Sequence, residues 1–260
     1  MAATEDRNFD DIADKLDSKI YGSIKGRLRL AVLERDLQEE GLPTPGKQPL
    51  RVLDAGGGAG QFSVTLAAMG HRIVYCDISA TMVERAREQY RLQAPLADAE
   101  FIHAPIQALD AQALGTFDLI LCHAVLEWLA EPHETLNGLL QLLKPGGKIS
   151  TLFYNRNSLM MLYLIRGRFD KVMTDNLGGW GNSLTPTNPQ DPQEVLSWFS
   201  QWQYETLCYS GVRCFYDYIT AKRRDEFSYE ELLAAELKVS RLEAFRSTAR
   251  YLHLLSRKPL

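Results

Sequence analysis

From Asp54 to Gly60 the chain reads Asp-Ala-Gly-Gly-Gly-Ala-Gly, with glycine at 56, 57, 58 and 60. An aliphatic run from Leu50 to Asp54 precedes it and helix-compatible residues from Gly60 to Met69 follow, so the segment predicts a strand, a tight turn and a helix;. Glycine in such a turn permits positive φ and leaves no Cβ where backbone must approach a ligand, and the following helix offers free N–H groups. The spacing is shorter than the dinucleotide fingerprint G-x-G-x-x-G. A second strand, His71 to Cys76, ends at Asp77, 19 residues after Gly58. A carboxylate there can accept hydrogen bonds from both hydroxyls of a ribose. The order strand, turn, helix, strand, acid therefore points to a nucleoside site, with NAD as the competing ligand.

The alternation continues. Ser79 opens a helix through Tyr90, with Thr81 and Glu84 adding capping chemistry;. Strands follow at Glu100 to His103 and Phe117 to Cys122. Leu136, Leu139, Leu140 and Leu143 recur at helical spacing until Lys144-Pro-Gly-Gly147 breaks the helix ahead of a fifth strand, Lys148 to Tyr154;. This pattern predicts an α/β, Rossmann-like, doubly wound parallel sheet whose ligand site lies beyond the carboxyl ends of its strands. Residues 9–40 read as helical, with Ile12, Leu16 and Ile20 four apart and a later run from Arg27 to Glu40. Two late strands, 203–213 and 249–256, flank a helix at 228–241. The expected layout is a single domain over 1–260: an N-terminal helical cap (1–45), a cofactor-binding core (46–154), a turn-rich substrate-side insertion (155–200) and the terminal strands with their helix (201–260).

Composition narrows the function. At 45% hydrophobic and 24% charged residues the chain is too apolar to stay disordered;. Apolar runs such as Leu119 to Val125 are too short to cross a membrane, and residues 1–12 lack the pattern of a secretory leader, so a cytoplasmic protein is expected;. Cys76, Cys122, Cys208 and Cys214 form no close CxxC pair, so no metal site is expected and the thiols read as reduced;. The net charge is −4, with 15 Lys and Arg against 21 Asp and Glu in residues 1–150 and 14 against 12 in residues 151–260. That balance argues against a DNA-coating protein but leaves room for a local basic face. Its candidates are Lys25, Arg27 and Arg29; Arg166, Arg168 and Lys171; and Lys222, Arg223 and Arg224. Solvated surface charge is the alternative for each cluster.

Leu53 to Gly60, Asp77, Phe117-Asp-Leu-Ile120 and Leu143-Lys-Pro-Gly-Gly147 together resemble the class I S-adenosylmethionine-dependent methyltransferases. The resemblance implies seven strands with the last antiparallel. Asp6 to Lys15, Ile20-Tyr-Gly22, Lys25 to Arg29, His123 to Trp128, Phe153-Tyr-Asn155, Gly211-Val-Arg213 and Arg250-Tyr-Leu-His253 are similar to the bacterial tRNA 5-carboxymethoxyuridine methyltransferases over nearly the whole chain. That family converts the carboxymethoxy group of a wobble uridine to its methyl ester, which implies the anticodon loop of tRNA as partner. By the same resemblance Arg29, Gly56, Gly57, Asp77, Ile106, Gln107 and His123 contact S-adenosylmethionine. Arg29 suits the cofactor's carboxylate, Ile106 and Gln107 the adenine ring and its amine, and a neutral His123 the neighbourhood of a sulfonium. A surface arginine, an exposed loop glutamine and a core histidine are the plain alternatives. His103 reads as a core histidine, and Glu127 and Trp128 as bracing the His123 wall.

A carboxylate acceptor is ionised at neutral pH and needs no general base. No proton-transfer residue is therefore expected; Arg213 and Arg250 are candidates to orient the carboxylate and Tyr154 to position it. Some family members carry a lysine-rich run in the insertion where this chain has Asn176 to Asn182, so its RNA contacts there are expected to be weaker, with Trp180 available to stack on a base or on its own domain;. Two other functions fit the motifs: a methyltransferase of a small carboxylic acid, and a non-catalytic nucleoside-binding module.

Overall fold

The periodicity resolves into seven strands in the order β3-β2-β1-β4-β5-β7-β6. The computed structural model describes residues 5–11, 22–42, 48–179 and 184–260. The strands are β1 Arg51–Ala55, β2 Arg72–Asp77, β3 Ala99–His103, β4 Phe117–His123, β5 Leu143–Tyr154, β6 Glu205–Val212 and β7 Tyr251–Arg257. The helices are α1 Ile24–Glu39, α2 Ser63–Ala68, α3 Ala80–Gln93, α4 Ala111–Leu114, α5 Pro132–Gln141, α6 Arg156–Ile165, α7 Phe169–Met173, α8 Pro192–Gln201, α9 Tyr229–Val239 and α10 Glu243–Arg246. Strands β1 to β5 pair in parallel, and β7 runs antiparallel between β5 and β6.

The central strands are apolar on both faces because both are covered, as a parallel sheet requires. On one face Val52, Tyr75, Leu119, Leu121 and Leu152 pack with Leu33 and Leu37 of α1 and Val83 and Ala86 of α3. On the other, Leu53, Val74, Ile120 and Phe153 pack with Leu136, Leu139 and Leu140 of α5 and Val195 and Phe199 of α8. The four cysteines are buried free thiols. Among the described residues no helix is long and apolar enough to cross a membrane.

Four local expectations change. Lys144 to Gly147 lies inside β5 rather than ahead of it; the register with β4 slips between Phe117↔Leu143 and Leu119↔Lys148, and Gly146 takes φ +72 in the bulge;. Residues 5–11 are not helical, and the Ile12, Leu16 and Ile20 spacing lies outside the described residues. The segment 155–200 carries three helices, α6 to α8, beside its turns. At α3, Ser79 Oγ accepts from Met82 N at 3.1 Å, but the second acceptor is Asp10, whose Oδ1 takes Thr81 N at 3.0 Å. Glu84 sits two positions beyond the one a capping box uses and pairs with Arg87 instead;.

Candidate active site

Strand order reverses between β1 and β4, and a cavity opens beyond their carboxyl ends;. Each parallel strand delivers its wall through the residues that follow it: Gly56 to Gly58 after β1, Asp77 and Ile78 at the end of β2, Pro105 to Gln107 after β3, and His123 to Val125 at the end of β4. Arg29 of α1 and Tyr251 of β7 add to the lining. Arg29, Gly56, Gly57, Asp77, Ile106, Gln107 and His123 thus all face one space.

The glycines are required sterically. Gly56 has φ +70, and a Cβ there would stand 2.6 Å from Val125 Cγ2; a Cβ on Gly57 would stand 2.5 Å from both Asp54 Oδ2 and Tyr75 Cε2;. Gly58 N donates to Asp77 Oδ2 at 2.9 Å and Ser79 N to Asp77 Oδ1 at 2.8 Å. Burial raises the Asp77 pKa against these two backbone donors. Two of its roughly four lone-pair positions are engaged, which leaves two for a diol.

Gln107 Nε2 donates to Asp6 Oδ2 at 2.8 Å and to Thr135 Oγ1 at 2.9 Å, so its Oε1 remains as an acceptor suited to an amine;. Ile106 is buried and supplies apolar wall. Arg29 Nε is buried without a hydrogen-bond partner among the described residues, and the guanidinium stands 4.6 Å from the Tyr251 ring centre. His123 Nε2 meets Ser150 Oγ at 2.7 Å. Burial, reinforced by His253 and Arg29, holds the His123 pKa well below the ordinary imidazole range, so the ring is neutral. A diol acceptor, an amine acceptor, a guanidinium whose Nε has no partner among the described residues and a neutral ring fit a nucleoside that carries an amino-acid tail and a positive centre.

The roof was not foreseen. Asp6, Arg7 and Phe9 line the cavity from the N-terminal segment. Asp6 Oδ1 accepts from Ala130 N at 2.9 Å, Arg7 N donates to Trp128 O at 3.0 Å, and Phe9 meets Trp128 edge-on with centroids 4.9 Å apart. These are long-range contacts of a polar, aperiodic segment, which no local pattern announces. Trp128 braces the wall as expected. Glu127 is buried, its carboxyl pushed up to about 7 by desolvation. His103 is not a core residue: β3 is the sheet's edge strand, and the ring is exposed with Nε2 3.1 Å from Ile78 O.

Tyr154, Arg213 and Arg250 do not line this cavity; they meet behind Tyr251. The Tyr154 and Tyr251 rings lie 5.1 Å apart, and the Arg213 guanidinium is 5.6 Å from the Tyr251 ring centre. At the centre is Asp217, which sequence reasoning missed. Arg213 donates to it through Nε at 2.9 Å and Nη2 at 2.6 Å, Arg250 Nη2 stands at 3.3 Å and Lys25 Nζ at 3.9 Å. Burial would raise the Asp217 pKa, but Arg213, Arg250 and Lys25 together hold it well below the carboxylate range. Arg250 Nη1 also donates to Tyr154 Oη, whose pKa burial pushes up to about 12. Three cations surround one carboxylate, so the cluster carries surplus positive charge. Arg250 Nε is buried and unpartnered among the described residues.

The basic clusters are thinner than their sequence suggests. Arg223 pairs with Glu226 at 2.9 Å and Arg224 donates to Ile219 O and Asp217 O, which leaves Lys222 exposed beside them. Arg27 stacks 3.4 Å from the Tyr229 ring centre. Trp180 and Asn182 lie outside the described residues.

Strand order and cavity chemistry together define a class I methyltransferase that uses S-adenosylmethionine. The methyltransferase domain family matches residues 53–151. A magnesium protoporphyrin IX methyltransferase from Synechocystis PCC 6803, solved with bound SAH, shares the fold with a TM-score of 0.62 at 16% identity, over 96% of this chain and 95% of that one. The ubiquinone biosynthesis O-methyltransferase of Aromatoleum aromaticum is 32% identical, but over only 45% of this chain and 49% of its own. The tRNA 5-carboxymethoxyuridine methyltransferase of Escherichia coli K12 is 40% identical over 255 residues, 98% of this chain and 97% of its own. This chain belongs to that family.

Proposed function

We propose that the protein transfers a methyl group from S-adenosylmethionine to the carboxylate of 5-carboxymethoxyuridine at the tRNA wobble position, giving the methyl ester. The observation that carries this is the cluster of buried Arg213 and Arg250 with half-buried Lys25, over-charged against Asp217 and one aromatic ring from the cofactor cavity. An additional carboxylate would reduce that surplus from +2 to +1.

The cofactor supplies an electrophilic methyl group. The chain's work is binding and alignment: Asp77 takes the ribose diol, Gln107 and Ile106 the adenine, and Arg29 the amino-acid carboxylate. Arg213 spends Nε and Nη2 on Asp217, so Arg250, whose Nε has no partner among the described residues, is the better clamp for the substrate carboxylate, and Tyr154 fixes Arg250;. The substrate oxygen forms the new O–CH3 bond as the S–CH3 bond breaks. No proton moves, so no general base is needed. Positioning and exclusion of water supply the rate. On this reading the whole chain works as one catalytic unit in the cytoplasm, engaging the anticodon loop of tRNA.

The test is incubation with tRNA bearing 5-carboxymethoxyuridine, followed by nucleoside mass analysis. The product gains one methyl group that mild alkali removes. An alkali-stable methyl would mean transfer to a ring atom or ribose oxygen and would overturn the reading.

A further inference from the structure

A polar stripe crosses four strands of an otherwise apolar sheet face. His123 on β4, His253 on β7 and Ser210 on β6 share one row of the sheet with Leu152 of β5, and Ser150 lies two residues before Leu152 on the same strand face, under Asp36 and Arg35 of α1. Asp36, Ser150 and His253 are fully buried. Buried polar groups oppose folding unless all are satisfied, and methyl transfer to a carboxylate uses no proton, so neither packing nor the chemistry accounts for this stripe. Its hydrogen bonds are continuous. His123 Nε2 meets Ser150 Oγ at 2.7 Å, Ser150 Oγ meets His253 Nε2 at 2.9 Å, and His253 Nδ1 meets Asp36 Oδ2 at 2.7 Å. Asp36 Oδ1 accepts from Arg35 Nη2 at 2.8 Å and from Arg241 Nη2 at 2.7 Å.

We infer that Asp36, His253 and Ser150 form a relay that fixes the tautomer of His123, with hydrogen on Nε2 and a lone pair on Nδ1, so that the cofactor wall favours the charged sulfonium over its neutral thioether product. An ionised carboxylate can only accept, so His253 carries hydrogen on Nδ1. In the relay His253 holds hydrogen on Nδ1 alone, so its Nε2 accepts. Ser150 must then donate to His253, and its oxygen is left to accept from His123 Nε2–H. The direction of every bond follows from the carboxylate at one end. Cys208 comes within 4.8 Å of the Asp36 and His253 ligand atoms, but Asp36 is engaged by both arginines and by His253 Nδ1–H, so the cluster works as a relay and not as a metal site. The inference rests on the cofactor assignment and not on the identity of the methyl acceptor.

The first test needs no variant. Long-range proton–nitrogen correlation spectra of the full, 15N-labelled, ligand-free chain should show His123 protonated on Nε2 only and His253 on Nδ1 only at neutral pH. An Nδ1–H or doubly protonated His123 at neutral pH would overturn the relay. In Ser150→Ala, calorimetry should show the preference for S-adenosylmethionine over S-adenosylhomocysteine falling roughly three- to tenfold, as one lost hydrogen bond implies. Equal weakening of both ligands would reduce Ser150 to a structural role and overturn the inference. If the unaltered chain binds neither ligand, the cofactor assignment fails, while the spectra still judge the relay.

Discussion

At the residue scale, burial and partners decide which groups can act. Asp77 keeps two acceptor positions open, so Asp77→Ala should weaken cofactor binding by roughly 1–3 kcal/mol in a calorimetric titration; an unchanged affinity would remove it from the site. Arg250 and Arg213 separate in the same way. Arg250→Lys keeps the charge but loses the planar fork, and turnover should fall by about tenfold or more with cofactor affinity unchanged. Arg213→Lys should act on stability instead, because its fork is locked on Asp217. Glu127 gives a signed pH dependence. Its folded pKa of about 7 lies above the ordinary 4.5, so between those values the folded chain holds a proton that the unfolded chain releases, and stability falls as pH rises;. Glu127→Gln should flatten that decline in unfolding free energy, measured by denaturant titration between about pH 5 and pH 8, by an amount on the order of 1–3 kcal/mol.

At the element scale, legibility followed locality. The glycine turn, Asp77 and the helix start at Ser79 are written within a few residues of their consequences, and all three stand where periodicity and turn chemistry put them. The β5 bulge escaped because Lys-Pro-Gly-Gly is a helix stop and a strand irregularity alike, and only pairing with β4 decides. Asp217 and the His253 relay escaped because they join elements far apart in the chain. The N-terminal strap escaped for the same reason, and it has a measurable role. Asp6 holds both Ala130 N and the Gln107 amide, so Asp6→Ala should raise the cofactor dissociation constant by roughly three- to thirtyfold;. Thermal stability should change little, since the strap adds no strand to the sheet. A large drop in Tm with unaltered cofactor affinity would show the reverse.

At the scale of the whole molecule, charge is sparse and uneven. Residues 1–150 carry net −6 and residues 151–260 net +2, and several cations of the second half are already paired inside the protein. RNA binding through a few such contacts should give a slope of log affinity against log salt near −2 to −4, as about three to five neutralised phosphates require. A slope indistinguishable from zero would mean that tRNA is not held through its backbone. Sheet order has a different consequence, one of timing. Because β7 lies between β5 and β6, neither flank of that half can close until β7 has been made and threaded home. A chain interrupted on the ribosome anywhere before Arg250 would expose β5 as a bare edge. It would also lack Arg250, Tyr251 and His253, so on the proposed reading incomplete copies should be inert and prone to aggregate, and none should draw down the cell's methyl donor before the fold is whole.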